Sequence, residues 1–365
     1  MHEHQQPVRN LTVAQAARIK HILTHYITNN TSVNENNRTI NSLVAPALRL
    51  AFHDCVGVKC DGCINLNNAG NAGLETVINR LDELYAQHNL STVISRADFW
   101  VLASIAGVEV AARKSKLCSP APCTQPNIQF RWGRKDCATA PATNDTHQFP
   151  DAHGDLNHVL TFFGDSFNMT TRDVVACLGA HTLGKAKRSN SGFEGLWVPQ
   201  EDEFDNHYYT AMVNLAFSQR NVDLPGTNST GHWQWNNPNR DFMMFNADMC
   251  LLRNITPEAN GQVLSCAANA NACGRASTAD IVEEYAMSNE RWVRDFEKCF
   301  QKMISHGYEN GTADELKELV ADDSENTTPS TTTKSSTSSG SLISEMCYKC
   351  LCFLFFIAYC LVPHH

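Results

Sequence analysis

Two histidines in this chain stand where histidines do chemistry. The first is in "LRLAFHDC", Leu48 to Cys55, which also carries Arg49 and Phe52. On a helix, residues at i, i+3 and i+4 share a face, so Arg49, Phe52 and His53 point the same way. Two cations on one buried face are costly unless one stays neutral or a ligand lies between them. Arginine keeps its proton, and a nearby guanidinium disfavours a protonated imidazole. His53 is therefore expected as a neutral base beside a fixed cation, a pair suited to acid–base work on a small polar molecule. The plainer alternative is a buried ion-pair corner, with Arg49 satisfied by a carboxylate such as Asp54. The second histidine, His181, lies in "DVVACLGAHTLGKA", Asp173 to Ala186. Its neutral imidazole is a candidate metal ligand, with Gly179, Ala180 and Gly184 leaving room for something flat. A satisfied core histidine is the alternative there. A ligating histidine usually has its other ring nitrogen held by a carboxylate. Asp248, an awkward charge in the apolar stretch "DFMMFNADMCLL", would serve.

The elements that must position these residues read as helices. "LTVAQAARIKHILTHYI", "GLETVINRLDELYAQHN" and "STADIVEEYAMSNERWVRDFEKCFQKMISHG" place apolar residues at three- and four-residue spacing. Alternating strand-like runs are scarce. Gly, Pro and Asn cluster between the helices, as in "CSPAPCTQP" and "DLPGTNSTGHWQWNNPNRD". The expectation is a mostly α fold with long loops that carry function.

Composition narrows the class. The 365 residues include 29 Lys+Arg against 38 Asp+Glu, a net charge of −9. That balance argues against a nucleic-acid partner, which would call for a basic face. Fifteen cysteines and many N-x-S/T sequons, among them Asn10, Asn37, Asn89, Asn144, Asn168, Asn228, Asn254, Asn310 and Asn326, favour an oxidising, glycosylating compartment. The start, "MHEHQQPVRN", lacks the basic and apolar regions of a secretory signal, so either an upstream segment is missing or the chain is not secreted. Near the other end, "TTPSTTTKSSTSSGS" cannot build a core. The apolar run from Cys350 to Val362 is shorter than the roughly 18 residues of a spanning helix. With the small residues Ser338, Ser339 and Gly340 before it, it fits a glycolipid-anchor signal. A short membrane segment, a palmitoylated cysteine cluster and a spurious gene end are the alternatives.

With both histidine stretches in view, the chain resembles the plant, fungal and bacterial haem peroxidases. "ALRLAFHDC" looks like that family's distal motif and "VVACLGAHTLGKA" like its proximal motif. Between them "NNAGNAGLETVINRLDEL", "RADFWVLASIAGVEV", "IQFRWGRKDC" and "FPDAHGD" also look like family blocks. "SNSGFEGLW", "FDNHYY", "FNAD" and "IVEEYAMSNERWVRDF" follow in order. The resemblance implies an all-α, two-domain fold with haem b between a distal domain (13–150) and a proximal domain (151–310). An N-terminal extension (1–12) would precede them. A disordered Ser/Thr-rich linker (311–341) and an apolar tail (342–365) would follow.

By the same resemblance His53 is the distal acid–base catalyst, Arg49 the distal cation and Phe52 the aromatic wall over the haem. Asn71 fixes the His53 tautomer, His181 is the axial iron ligand, and Asp248 is its carboxylate partner. The implied reaction is reduction of hydrogen peroxide with one-electron oxidation of a small donor, phenolic or other. Trp197, in "SGFEGLW", matches the proximal Trp of cytochrome c and ascorbate peroxidases, whereas Phe52 is the choice of secreted members. Trp197 either hosts an oxidising equivalent or packs under the haem.

Departures from the family pattern matter. Where ascorbate-using relatives carry Arg, this chain has Asn190, so ascorbate is the less supported donor, although Lys187 and Arg188 are close by. A distal calcium is implied at Asp54 and Asp61, with the carbonyls of Gly57 and Lys59, but Cys63 replaces the usual hydroxyl. Thiol is a poor ligand for calcium. Cys55 and Cys60 match a short-loop disulfide, leaving Cys63 to pair elsewhere, with "CSPAPC" one place to look. A proximal cation is implied at Thr182 and Asp205, with Val198 where a hydroxyl is expected. The expected location is secreted or cell-surface, with membrane attachment through the tail. Two other readings stay open: a haem-binding surface module without turnover, and an intracellular peroxide scavenger of the ascorbate or cytochrome c type.

Overall fold

Helix α1 (Val13–Asn29) begins at a capping box. The Thr12 hydroxyl accepts the Gln15 N–H (3.2 Å), and the Gln15 side chain accepts the Thr12 N–H (3.0 Å). Its buried stripe is Ala16, Ile19, Leu23 and Ile27. The computed structural model describes residues 10–33, 39–118, 124–137, 148–223, 231–238, 242–308, 311 and 314–322. After α1, strands β1 (Ser32–Val33) and β2 (Thr39–Ile40) pair antiparallel. Helix α2 (Val44–Cys55) then carries the His53 stretch. Pro46 falls in its first turn, where the missing N–H costs no helical bond.

Helix α3 (Glu75–Gln87) is followed by α4 (Arg96–Lys114), which Ser95 caps by accepting the Asp98 N–H. Helix α4 is buried on nearly every side, so it is the central helix against which α1 and α2 pack. A Cβ on Gly107 would lie 3.4 Å from the Val44 carbonyl, so the glycine lets α2 approach closely. The buried pair Arg134–Asp98 (2.6 Å) ties the start of α4 to the Ile304 carbonyl, which Arg134 also bonds.

The second half starts with α5 (Leu156–Phe167) and α6 (Thr171–Leu178), the latter opened by a Thr170–Asp173 capping box. A 3-10 turn, Gly179–Thr182, continues α6 and holds His181. Strands β3 (Lys185–Ala186) and β4 (Gly195–Leu196) flank helix α7 (Arg188–Ser191) and pair antiparallel. Helix α8 (His207–Asn214) leads into a three-stranded antiparallel sheet, β5 (Ser218–Asn221), β6 (Trp233–Asn236) and β7 (Met243–Met244). Its register sets Gln219 and Met244 opposite Trp235. Trp235 is fully buried and donates to Asn246 Oδ1 (2.9 Å) at the start of α9 (Asn246–Met249), the short helix that carries Asp248. Strands β8 (Arg253–Asn254) and β9 (Gly274–Arg275) pair before α10 (Ala279–Met287) and α11 (Asn289–Ser305). Helix α8 packs on α10, and α11 packs on both α6 and α2, so one helix supports both histidine-bearing segments.

The mostly helical expectation holds, with two adjustments. The long run beginning at Ser277 is two helices, because Ser288 turns extended (φ −143°, ψ 101°) and caps α11 with its hydroxyl. The folded part also runs past position 310, where the linker was expected to begin. Trp132 and Lys317 exchange backbone bonds (3.0 and 2.8 Å), and Val320 bonds both Val13 and Leu11. The chain to Asp322 forms one unit. The Ser/Thr-rich stretch from 323 and the apolar tail lie outside the described residues. Among the described residues no helix is long and apolar enough to cross a membrane.

Candidate active site

Helix α2 delivers Arg49, Phe52 and His53 to one cavity, as their spacing requires. The amide of Asn71 donates to the Asn65 carbonyl (2.9 Å), which orients its oxygen toward His53 Nδ1 at 2.8 Å. The proton therefore sits on Nδ1, and Nε2 keeps the lone pair. Burial first, then the charge of Arg49, hold the His53 imidazole down to about 3, so it is neutral at physiological pH. Arg49 is no ion-pair corner with Asp54. Its guanidinium donates to the carbonyls of Ala72 (3.0 Å) and Gly70 (2.9 Å). Phe52 packs edge-on to His53 (5.5 Å between centroids) and stacks on Phe163 (5.9 Å). Sequence reasoning did not single out Phe149. Its ring lies 4.1 Å from that of His53, and a Cβ on Gly70 would come 2.4 Å from it.

On the other side His181 Nδ1 donates to Asp248 Oδ1 at 2.7 Å. The fully buried Asp248 also accepts the Trp197 indole (2.8 Å), the Tyr208 phenol (2.8 Å) and the Phe245 N–H (2.7 Å). Burial alone would raise this carboxyl, but the His181 charge and these hydrogen bonds outweigh it and leave it below the ordinary value. Trp197 stacks on His181 with centroids 4.4 Å apart and planes 21° off parallel. Tyr208 as a fourth donor was not foreseen, although it lay within the quoted "FDNHYY" block.

Both groups line the same cavity of about 690 Å³. Arg49, Phe52 and His53 line it, and so do His181, Trp197 and Phe245. That size is ordinary for a buried cofactor. With Nδ1 committed to Asp248, Nε2 of His181 is the nitrogen left for an iron, so the residues fit a haem. Of the three small residues expected at the cavity, Ala180 lines it. Gly184, at φ +80°, does line the cavity. Gly179 instead makes room for core packing, since a Cβ there would lie 2.4 Å from both Trp292 Nε1 and Tyr209 OH. Lys187 and Asn190 line the cavity, and Asn190 is so close to Gly73 that a Cβ there would sit 2.1 Å from its amide nitrogen. Arg188 is turned away to Glu194 (3.0 Å).

Asp54 and Asp61 come together at one place, both accepting the Cys63 N–H (3.0 and 3.2 Å), and Asp54 also takes the Gly62 N–H (3.2 Å). Burial, followed by the neighbouring Asp61 charge, pushes Asp54 up to about 8 against the pull of those N–H groups. A buried acid beside a second acid is a charge arrangement that a cation relieves. One of the expected donors, the Gly57 carbonyl, has another partner. It lies 3.1 Å from His306 Nε2. Cys63 is bonded to Cys137, not to the "CSPAPC" stretch, so it supplies no thiolate. Cys55–Cys60 forms as expected, and Cys177–Cys299 and Cys266–Cys273 add further disulfides. On the proximal side the buried Thr182 hydroxyl has no hydrogen-bond partner among the described residues. Asp205 accepts from the Ser115 hydroxyl (2.7 Å) and lies 2.6 Å from His207 Nδ1, raising the His207 pKa.

Comparison with known proteins follows this geometry. A family model described as Peroxidase matches residues 29–286. The mitochondrial cytochrome c peroxidase of Candida glabrata is 29% identical over 237 residues, 65% of this chain and 54% of that protein. A protein named as a heme-binding peroxidase in Yarrowia lipolytica is 27% identical over 277 residues, 72% of this chain and 78% of that one. Cytosolic L-ascorbate peroxidase 1 of Oryza sativa subsp. indica is 33% identical over 178 residues, 46% of this chain and 64% of that enzyme. The chain thus spans little more than half of the first of these relatives and just under two thirds of the last. The matched span runs from the end of α1 almost to the end of α10 and encloses both histidines, and on that ground the chain belongs to the peroxidase family, among the plant, fungal and bacterial haem peroxidases.

Proposed function

We propose that this chain is a haem-dependent peroxidase that reduces hydrogen peroxide and oxidises a small donor one electron at a time. The observation that carries the reading is a single cavity bordered by two imidazoles, each with its Nδ1 engaged behind it, by Asn71 for His53 and by Asp248 for His181. Each therefore keeps Nε2 for the cavity. When bound, haem supplies an iron that takes up the oxidising power of peroxide and releases it in single electrons. His181 Nε2 would hold that iron, and Asp248 would make His181 a stronger donor. His53 Nε2 would take the proton of one peroxide oxygen and return it to the other, which leaves as water. The Arg49 guanidinium, fixed by two carbonyls, would stabilise the negative charge that gathers as the O–O bond breaks.

Donor choice rests on the cavity rim. Asn190 gives no cation for ascorbate, so a small phenol is the better candidate. The stacked Trp197 favours a second reading, in which electrons enter from the proximal side. Steady-state assays of the haem-loaded protein with a phenol, ascorbate and reduced cytochrome c separate these readings. Absence of turnover with all three would favour a haem-binding module. A distal calcium held by Asp54 and Asp61 with backbone carbonyls is part of the proposal. A proximal cation at Thr182 and Asp205 would have to compete with His207 for Asp205. Secretion or cell-surface display is supported by exposure of the described sequon asparagines, among them Asn10, Asn89, Asn168 and Asn254. A mobility shift on enzymatic deglycosylation of the protein from its native cells tests this, and release by a phosphatidylinositol-specific phospholipase tests the anchor.

A further inference from the structure

Helix α6 carries a cysteine to the cavity, and the peroxide chemistry above does not use it. Cys177 lies on the last turn of α6, four residues before His181, and among the described cysteines it alone lines the cavity. Its disulfide partner is Cys299 of α11, 122 positions further along the chain and fully buried. Phe296, Phe300 and Met303, on the turns around Cys299, also line the cavity, so this bond sits in the cavity wall. The two helices are joined without it as well. Lys302 pairs with Asp173 (2.6 Å), and the Trp292 indole donates to the carbonyl of Ala176 (3.0 Å), the residue before Cys177. These contacts keep the two cysteines side by side when both are thiols.

Access decides how such a bond closes. Cysteines this far apart in the chain meet only once α6 and α11 have packed. Exchange with an outside disulfide then needs a thiolate that the carrier can reach. Burial in apolar surroundings disfavours the thiolate. Cys299 is fully buried, and Cys177 is 9% exposed. Loss of single electrons needs no such approach, because one thiol at the wall of the oxidant's own cavity is enough. The pairs Cys55–Cys60, Cys63–Cys137 and Cys266–Cys273 contain no residue that lines the cavity.

We propose that Cys177 and Cys299, as thiols, are an internal two-electron donor to the peroxide site, which closes their disulfide itself. The chain thereby has a second activity, oxidation of its own dithiol. The proposal rests on the peroxidase reading, which supplies haem and peroxide. Cys177, at the wall, gives up the first electron and its proton. Its sulfur bonds to that of Cys299, which loses its own proton, and the second electron follows. Two S–H bonds break and one S–S bond forms. The O–O bond of peroxide takes both electrons and breaks, and the two thiol protons complete two waters.

The test uses the full chain, refolded and haem-loaded in dithiothreitol so that every cysteine starts as a thiol. After anaerobic removal of the reductant it receives one equivalent of peroxide and no other donor. Timed alkylation, proteolysis and mass spectrometry should show Cys177–Cys299 closing ahead of the other pairs, with the buried Cys250 still a thiol. Loading with zinc protoporphyrin instead of haem should slow the closure by an order of magnitude or more. A second measurement starts from the oxidised protein, with peroxide and the nitrone spin trap DMPO. Cys299→Ser should give a trap adduct on Cys177, and Cys177→Ser should give less on Cys299 by an order of magnitude or more. Where the all-thiol chain takes up no haem, these two variants decide. The proposal is overturned if a phenol is oxidised while the pair stays open, if the other pairs close as fast, if the zinc form closes it as fast, or if the two variants trap equally. A chain that consumes no peroxide even with a phenol present overturns the peroxidase reading, and this proposal with it.

Discussion

Replacing Asp248 by Asn tests whether the proximal side is organised around one carboxylate. In the native chain Oδ1 accepts from His181 and Tyr208, and Oδ2 accepts from Trp197 and the Phe245 N–H. An amide offers one acceptor oxygen, so two of these four donors would face an NH2 group. If the oxygen keeps the Oδ1 place, the Trp197 indole and the Phe245 N–H lose their partner inside a fully buried site. An unsatisfied buried donor costs about 1–3 kcal/mol, so the pair costs about 2–6 kcal/mol, a large share of the roughly 5–15 kcal/mol that holds a protein together. The sign with pH follows from the depressed carboxyl. Its stabilisation is fully present above the unfolded value of about 4 and fades as pH falls toward the folded value, so the gap between wild type and Asp248→Asn should narrow in that acid range. Urea unfolding of both proteins before haem loading, at pH 7 and in the acid range, measures this. A difference below about 1 kcal/mol at pH 7 would refute the reasoning, since one lost hydrogen bond alone is worth that much.

Other outcomes follow from the same geometry. Because His53 is held down to about 3, the rate of reaction with peroxide should stay flat from neutral pH to well below the ordinary imidazole value of about 6.5. An acid limb centred at the ordinary value would show that His53 is neither desolvated nor under the influence of Arg49. Gly179→Ala should destabilise by about 1–3 kcal/mol in denaturant titration, because the methyl meets Trp292 and Tyr209, and a neutral result would contradict the close approach. A calcium chelator should lower stability by roughly 3 kcal/mol if the distal ion was present at about a hundred times its Kd. Unchanged unfolding with and without chelator would remove calcium from the account.

Local pattern made much of the site legible, and tertiary pairing hid the rest. The His53 stretch is an amphipathic helix whose face follows from spacing alone, and the carboxylate for His181 could be sought among charges stranded in apolar sequence. Asp248 qualified because nothing nearby in the chain excuses it. Tyr208, Phe149 and Cys137 carried no such mark. A tyrosine in a helix, a phenylalanine before a proline and one cysteine among fifteen look ordinary until the fold brings them to Asp248, His53 and Cys63. The same holds for Gly179, whose missing Cβ serves an indole from α11 rather than the cavity. The short strands β5 to β7 evaded pattern reading because no run is long enough to show alternation, yet their register seats Trp235 on Asn246 and so fixes the helix that carries Asp248.

The central claim is that His53 is the proton-moving group for peroxide across a cavity whose other side is His181. His53→Leu tests it most directly, with the peroxide reaction followed by stopped-flow absorbance on protein whose haem content matches wild type. The account predicts retained haem and a rate lower by about 10²–10⁴-fold, the usual loss when an acid–base group is removed. An unchanged rate would contradict it.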